Sequence, residues 1–192
     1  MRLIRFADLT VQPWKNGGGA TREVAAAKDT DQAPGFAWRL SIATVDRDGP
    51  FSFFPGVDRT LVLLEGGGLS LHIEGRADPI ALLPGDQWSF PGETRVDGRV
   101  TAGATLDFNV MTARGVAAHT VRRLGAGRHE LAVAPGMTLA LLSLGAGVVE
   151  VRGERPALGR YDCLIIGPGT LAVEGAMLVV EIGPSQSLLT RL

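Results

Sequence analysis

The sequence is poor in the residues that usually organise a metal or redox centre. Of 192 residues, one is cysteine and three are histidine. Cys163, in Y-D-C-L-I-I-G, has no partner with which to staple a fold, and its apolar neighbours read as the setting of a buried structural thiol. His72 lies in L-H-I-E-G with no second histidine two positions away, and His119 and His129 fall in the junction between the halves of the chain. A His-x-His centre cannot be assembled from these, so neither metal nor cofactor is expected. Excess charge is also missing. Lys and Arg number 19 against 20 Asp and Glu, split as 11 to 14 over residues 1–110 and 8 to 6 over 111–192. With no basic run in either half, nucleic acid and anionic membranes are poor partners. No stretch approaches the roughly 18 apolar residues of a membrane span, and M-R-L-I-R-F-A-D lacks the apolar core of a signal peptide, so a cytoplasmic protein is expected. No segment shows capped 3.6-residue periodicity either, which predicts little helix.

What is abundant is turn chemistry. The 26 glycines and 11 prolines are scattered between short apolar runs, the pattern of many short strands. Ala37–Val45 alternates, with Trp38, Leu40 and Ile42 on one face and Arg39, Ser41 and Ala43 on the other. Thr105–Met111 alternates in the same way, opposing Leu106, Phe108 and Val110 to Thr105, Asp107, Asn109 and Met111. Arg2–Phe6, 60–64, 69–73, 80–83 and 88–90 read as further strands, and residues 25–35 as an exposed loop. T-L-V-L-L-E-G-G-G-L-S-L-H-I-E-G at 60–75 reappears faintly as T-L-A-L-L-S-L-G-A-G-V-V-E-V-R-G at 138–153, a shift of 78. Further on, the aspartates of 83–92 and 158–169 lie 76 apart. The repeat predicts an all-β chain of two related β-barrel or jelly-roll units, spanning 1–113 and 114–192.

The most unusual stretch is W-K-N-G-G-G-A-T-R-E, residues 14–23. Three consecutive glycines lose much backbone entropy on folding, so they need a structural reason. Two readings stand: a nest of N–H groups for an anion, or a glycine bulge at a barrel rim. The G-K-[ST] ending of a nucleotide loop is absent, which sets nucleotide phosphates aside. Ten of the eleven aromatic residues lie within 1–108, with only Tyr161 beyond. That asymmetry fits one ligand pocket in the first unit, or simply a bulkier core there. Arg39, Ser41, Asp107 and Asn109 are an unusual set for a solvent face. Arg39 is either a carboxylate clamp or half of a buried pair with Asp107, and the two roles are compatible.

W-K-N-G-G-G-A-T-R-E (14–23), F-A-W-R-L-S-I-A (36–43), G-P-F-S-F-F-P-G-V-D-R (49–59) and D-F-N-V-M-T-A-R-G (107–115) together resemble the HutD/Ves family, over about residues 12–182. The resemblance implies a bicupin, two metal-free cupin-like β-barrels of jelly-roll type in one chain. It also implies a non-catalytic regulator linked to histidine utilisation, or for the Ves branch to environmental stress. Carried onto this chain, it marks Trp14, Asn16, Gly17, Gly18, Thr21, Glu23, Arg39, Ser41, Phe54, Asp58, Arg59 and Asn109 as pocket residues. The leading expectation is therefore a regulatory protein that takes a small carboxylate, such as urocanate or a formylated glutamate. In that role Arg39 or Arg59 would hold the charge while Trp14 and Phe54 cover the apolar part. The alternatives are a metal-independent isomerase or hydrolase using Glu23, Asp58 or His72, and an interaction module without a ligand. Monomer and homodimer are both compatible with the sequence.

Overall fold

Period-two alternation runs through most of the chain, and strands are the result. The computed structural model describes residues 1–29 and 33–185. In chain order these form β1 (Arg2–Ile4), a 3₁₀ turn at Phe6–Asp8, β2 (Val11–Pro13), β3 (Gly19–Lys28), β4 (Phe36–Val45) and β5 (Gly49–Pro50). There follow β6 (Val57–Glu65), β7 (Leu69–Ile73), β8 (Ile80–Leu82), β9 (Gln87–Pro91), β10 (Val96–Val100) and β11 (Thr105–Ala113). The remainder are β12 (Ala117–Leu124), β13 (Arg128–Val133), β14 (Thr138–Ser143), β15 (Gly147–Val151), β16 (Ala157–Leu158), β17 (Cys163–Ile166), β18 (Gly169–Glu174) and β19 (Met177–Pro184). Among the described residues no helix is long and apolar enough to cross a membrane.

The chain divides into two compact units. The first is Thr10–Arg114; the second joins Met1–Leu9 to Gly115–Leu192. The sequence expectation of 1–113 and 114–192 differs from this at the N-terminus. Strand β1 pairs with β17, Leu3 opposite Leu164. Asp162 then holds the next two residues, accepting from Arg5 Nη1 at 2.6 Å and from the Phe6 amide at 2.9 Å. Burial pushes the Asp162 carboxyl up, but hydrogen bonds from Arg5, Phe6 and Gly159 outweigh it and hold the group below its usual value.

Each unit is a pair of antiparallel sheets. The first unit orders them β2-β3-β4-β11-β6-β9 and β5-β10-β7-β8; the second β1-β17-β14-β19-β12 and β13-β18-β15-β16. Read in matching direction, β4-β11-β6-β9 corresponds to β12-β19-β14-β17, and the four-stranded sheets correspond strand for strand. The repeat seen in the sequence is thus a repeat of topology. Even its turns agree. The Leu83 amide bonds Asp86 Oδ2 at 2.8 Å, and the Gly159 amide bonds Asp162 Oδ2 at 2.9 Å. The sheets of each unit face one another without closing into a continuous hydrogen-bonded barrel.

The units differ in what fills them. The second is packed by aliphatic side chains including Leu139, Leu141, Val149, Leu164, Met177 and Val179. The first has a comparable cluster, with Leu61, Leu63, Leu69, Leu71, Leu82, Phe90 and Val96, on strands β6 to β10. A smaller apolar cluster joins Phe36, Val57 and Met111, and over β4 and β11 the interior also carries the polar side chains of Arg39, Ser41, Asp107 and Asn109. The first is also the unit whose larger sheet is extended by β2 and β3, which flank the turn of the glycine motif. Residues 25–28, expected in a loop, belong to β3 and pair with β4, with a bulge between Glu23 and Ala25. Small alanine side chains let this stretch pack, and Ala25 is buried. Positions 30–32 of the expected loop lie outside the described residues.

Candidate functional site

Strand register builds the site. Arg39, Met111 and Arg59 form one row across β4, β11 and β6; Ser41, Asn109 and Leu61 form the next, and Ala43, Asp107 and Leu63 the third. Paired residues of an antiparallel sheet share a face, so the two arginines stand two strands apart over the same interior. Trp14, Asn16 and Thr21 from the motif and Phe51, Ser52 and Phe54 from the loop after β5 complete a cavity of about 490 Å³.

The motif is a hairpin between β2 and β3. The Gly17 amide bonds the Trp14 carbonyl at 3.0 Å, and the Trp14 amide returns to the Gly19 carbonyl at 2.9 Å. Gly17 takes φ 67°, a conformation that glycine adopts without strain. Gly19 is required for a different reason: a Cβ there would sit 2.1 Å from the Thr44 carbonyl oxygen. The Gly18 amide is satisfied by Asn16 Oδ1 at 3.0 Å. The N–H groups of Gly17 and Gly18 are therefore engaged within the turn, and neither residue lines the cavity. Between the two readings of the glycine run, the turn geometry favours a rim rather than an anion nest. What the hairpin presents is Trp14, whose indole N–H donates to Thr21 Oγ1 at 2.8 Å, with Lys15 and Asn16 beside it.

Arg59 is the central group. It is only 7% exposed, and it donates to Asn109 Oδ1 from Nε at 3.0 Å and Nη2 at 2.6 Å. Its guanidinium lies 4.9 Å from the Phe51 ring centre and 5.2 Å from that of Phe90. Phe51 is held in turn against Gly98, where a Cβ would come within 2.5 Å of its ring. Burial lowers the Arg59 guanidinium to about 10, Asp107 opposing the shift and Arg39 adding to it. Among the described residues no carboxylate lies within ion-pair distance of Arg59.

Asp107, 1% exposed, is the second buried charge-bearing group. Burial pushes its carboxyl up to about 7, against the Thr105 hydroxyl, which donates to Oδ1 at 3.2 Å, and the Arg59 charge. Arg39 pairs with Glu23 at 2.8 Å rather than with Asp107, because the β3 bulge brings Glu23 alongside it. Glu23 therefore acts on the site through Arg39 and does not line it. Asp58 is one residue from Arg59 and so faces the other way, where it accepts from Arg114 Nε at 3.0 Å; Arg114 also holds Glu93. His72 lies on the four-stranded sheet, its Nε2 3.2 Å from Ser70 Oγ, outside this cavity.

Of the twelve expected pocket residues, Trp14, Asn16, Thr21, Arg39, Ser41, Phe54, Arg59 and Asn109 line the cavity, while Gly17, Gly18, Glu23 and Asp58 do not. Asp107, Met111, Phe51, Ser52 and Lys15 join them. For Asp107 and Met111 the signal was in the sequence, since alternation put both on the face of Asn109. Among the described residues no three His, Cys, Asp or Glu side chains are grouped to hold a metal ion.

The HutD family model matches residues 6–180. The chain belongs to the HutD family. An uncharacterised 21.2 kDa protein in the hutC 3' region of Pseudomonas putida is 33% identical over 187 residues, covering 95% of this chain and 97% of its own. HutD from Pseudomonas fluorescens SBW25, solved in a formate condition, superposes with a TM-score of 0.85 at 30% identity, over 95% of this chain and 98% of that one. A conserved protein of unknown function from Pseudomonas aeruginosa PAO1 gives 0.83 at 29% identity, over 95% and 97%. A cupin 2 conserved barrel domain protein from Leptotrichia buccalis, 14% identical with a TM-score of 0.60 over 95% and 96%, shares the fold alone. This HutD-family chain is thus an all-β protein of the cupin class, from a family linked to the histidine-utilisation locus.

Proposed function

We propose that this chain is a non-catalytic regulatory protein that binds a small carboxylate in the cavity of its first unit. The observation that carries the reading is Arg59. A guanidinium taken out of water without an ion-pair partner is costly. Here it is held by one neutral amide, framed by two aromatic faces and left beside an open volume of about 490 Å³. A ligand carboxylate supplies the directly bonded anion that Arg59 lacks, each charge-assisted bond contributing roughly 1.5–3 kcal/mol. Trp14 and Phe54 cover the apolar part of the ligand, and Ser41 and Asn16 fix its orientation. Among small acids, the histidine-utilisation intermediates urocanate and formylated glutamate fit the family's locus. At about 0.8 kcal/mol per heavy atom, a ligand of about ten atoms reaches micromolar affinity.

The second unit supports the assignment by contrast. By register, Arg59 opposite Met111 corresponds to Met137 opposite Gly183. There the methionine lies against the glycine so closely that a Cβ would meet its sulfur at 2.1 Å. The position of the buried cation is filled by a buried thioether.

Calorimetric titration of urocanate and N-formylglutamate into wild type and Arg59→Met tests the reading. Micromolar binding lost in the variant is expected; equal binding in both would remove Arg59 from the site. One observation favours a second reading, a metal-independent acid–base enzyme: Asp107 lines the cavity and titrates near neutrality. Turnover of these acids by chelator-treated protein, abolished in Asp107→Asn, is the outcome it requires.

A further inference from the structure

We propose that Asp107 makes ligand binding in this cavity proton-coupled: a carboxylate enters only when Asp107 is the neutral acid, so wherever Asp107 is ionised in the free protein each anion bound carries one proton in with it. The inference rests on the carboxylate-binding reading above and adds to it the charge state that the site accepts.

The geometry is a competition for one guanidinium. The charged groups lining the cavity are Lys15 from the hairpin, Arg39 from β4, Arg59 from β6 and Asp107 from β11. Arg39 is already neutralised by Glu23 of β3 at 2.8 Å. Lys15 is exposed at the rim. On the facing sheet, β10 turns Gly98 inward and leaves Asp97 and Arg99 exposed. The interior balance thus reduces to Arg59 and Asp107, both at most 7% exposed.

Arg59 reaches along the sheet to the row of Asn109, and Asp107 stands in the adjoining row, about 7 Å farther along β11. If Asp107 is ionised, it already offsets the Arg59 charge, and an arriving carboxylate puts a second anion into the same low-dielectric space. If Asp107 is protonated, the ligand carboxylate becomes the sole counter-charge. The Thr105 hydroxyl is compatible with both forms, since it donates to Oδ1 and leaves Oδ2 free to carry the proton. Burial already holds the Asp107 carboxyl near the balance point at neutral pH. Affinity therefore reports pH across the physiological window, and the neutral carboxyl can donate a hydrogen bond to an acceptor elsewhere on the ligand.

The test is isothermal titration of the full chain with sodium formate and, separately, N-formylglutamate, both fully ionised between pH 6 and 8.5. Each titration is run in phosphate and in Tris, whose ionisation enthalpies differ. Wild type is expected to bind about tenfold or more tightly at pH 6 than at 8.5, with buffer-dependent heats at pH 8.5 that approach one proton taken up. Asp107→Asn is expected to bind at both pH values as wild type does at pH 6, with no buffer dependence. Binding that Arg59→Met abolishes, but that is flat with pH and independent of buffer in wild type, overturns the role of Asp107 and leaves the pocket standing. Binding that is absent at both pH values, or unchanged in Arg59→Met, overturns the pocket and this inference together. The wild-type heats decide the matter even if Asp107→Asn fails to fold.

Discussion

Arg59 donates two hydrogen bonds to a single oxygen, Asn109 Oδ1, at 3.0 and 2.6 Å. Asn109 is 2% exposed, so water does not substitute for it. Asn109→Ala is expected to leave those N–H groups buried and unsatisfied, destabilising the protein by about 1–3 kcal/mol. A urea midpoint equal to that of wild type would show that the amide does not support the guanidinium.

Arg59→Met places in the first unit the residue that the second unit carries at the corresponding position, Met137. Because a buried, unpaired cation contributes little to stability, its melting temperature is expected to stay near wild type or rise. Carboxylate binding is expected to weaken at least about tenfold, the loss of one charge-assisted bond. Thermal denaturation with and without ligand separates the two effects: the ligand-induced shift disappears while the unliganded transition remains.

The Asp107 carboxyl titrates at about 7 in the folded protein, against 3.8 for the unperturbed group. Between these values the folded state holds more protons than the unfolded state, so stability falls as pH rises through the window and levels off above it. Asp107→Asn is expected to match wild type near pH 4 and exceed it at pH 8, by at most about 4 kcal/mol. Parallel pH profiles of the two proteins in denaturant titrations would contradict the shift.

The three glycines of the motif are not equivalent. Gly19→Ala drives a Cβ to 2.1 Å from the Thr44 carbonyl and 3.2 Å from the Trp14 ring, and is expected to disrupt the β3–β4 pairing and displace the tryptophan. Gly17→Ala has open space but φ 67°, and is expected to cost about 1 kcal/mol. Gly18→Ala meets only Asn16, at 3.4 Å, and is expected to be tolerated. Tryptophan emission and melting temperature across the series should follow this order.

Cys163 is fully buried, and burial pushes its thiol up to about 12. It is expected to resist thiol reagents at pH 8 in the folded state and to react once the chain is unfolded. Reaction of native protein at the rate of a free thiol would show that β17 opens.

Much of this architecture was legible along the chain because strand alternation is a local property. The faces of Ala37–Val45 and Thr105–Met111 follow from residue order, and they place Arg39, Ser41, Asp107 and Asn109 on interior faces before any pairing is known. The internal repeat similarly announced two related all-β units, and a single aromatic-rich half pointed to the unit with the cavity. The motif W-K-N-G-G-G-A-T-R-E was visible as unusual, although its glycines turned out to shape the hairpin while Trp14, Asn16 and Thr21 meet the cavity.

What residue order does not contain is register. Asp58 and Arg59 are neighbours, yet only one faces the interior, a choice made by the pairing of β6 with β11. Glu23 reaches Arg39 because of a bulge in β3, which leaves Asp107 to Arg59. Strand β1 joins the second unit because its partner, β17, is more than 150 residues away in the chain. Fold class, the repeat and the chemistry available to the interior were readable from residue order, since these follow from local alternation and composition. Which arginine is buried with no carboxylate at ion-pair distance was settled by the tertiary structure, because that depends on pairing between distant strands, where a one-residue slip exchanges the two faces.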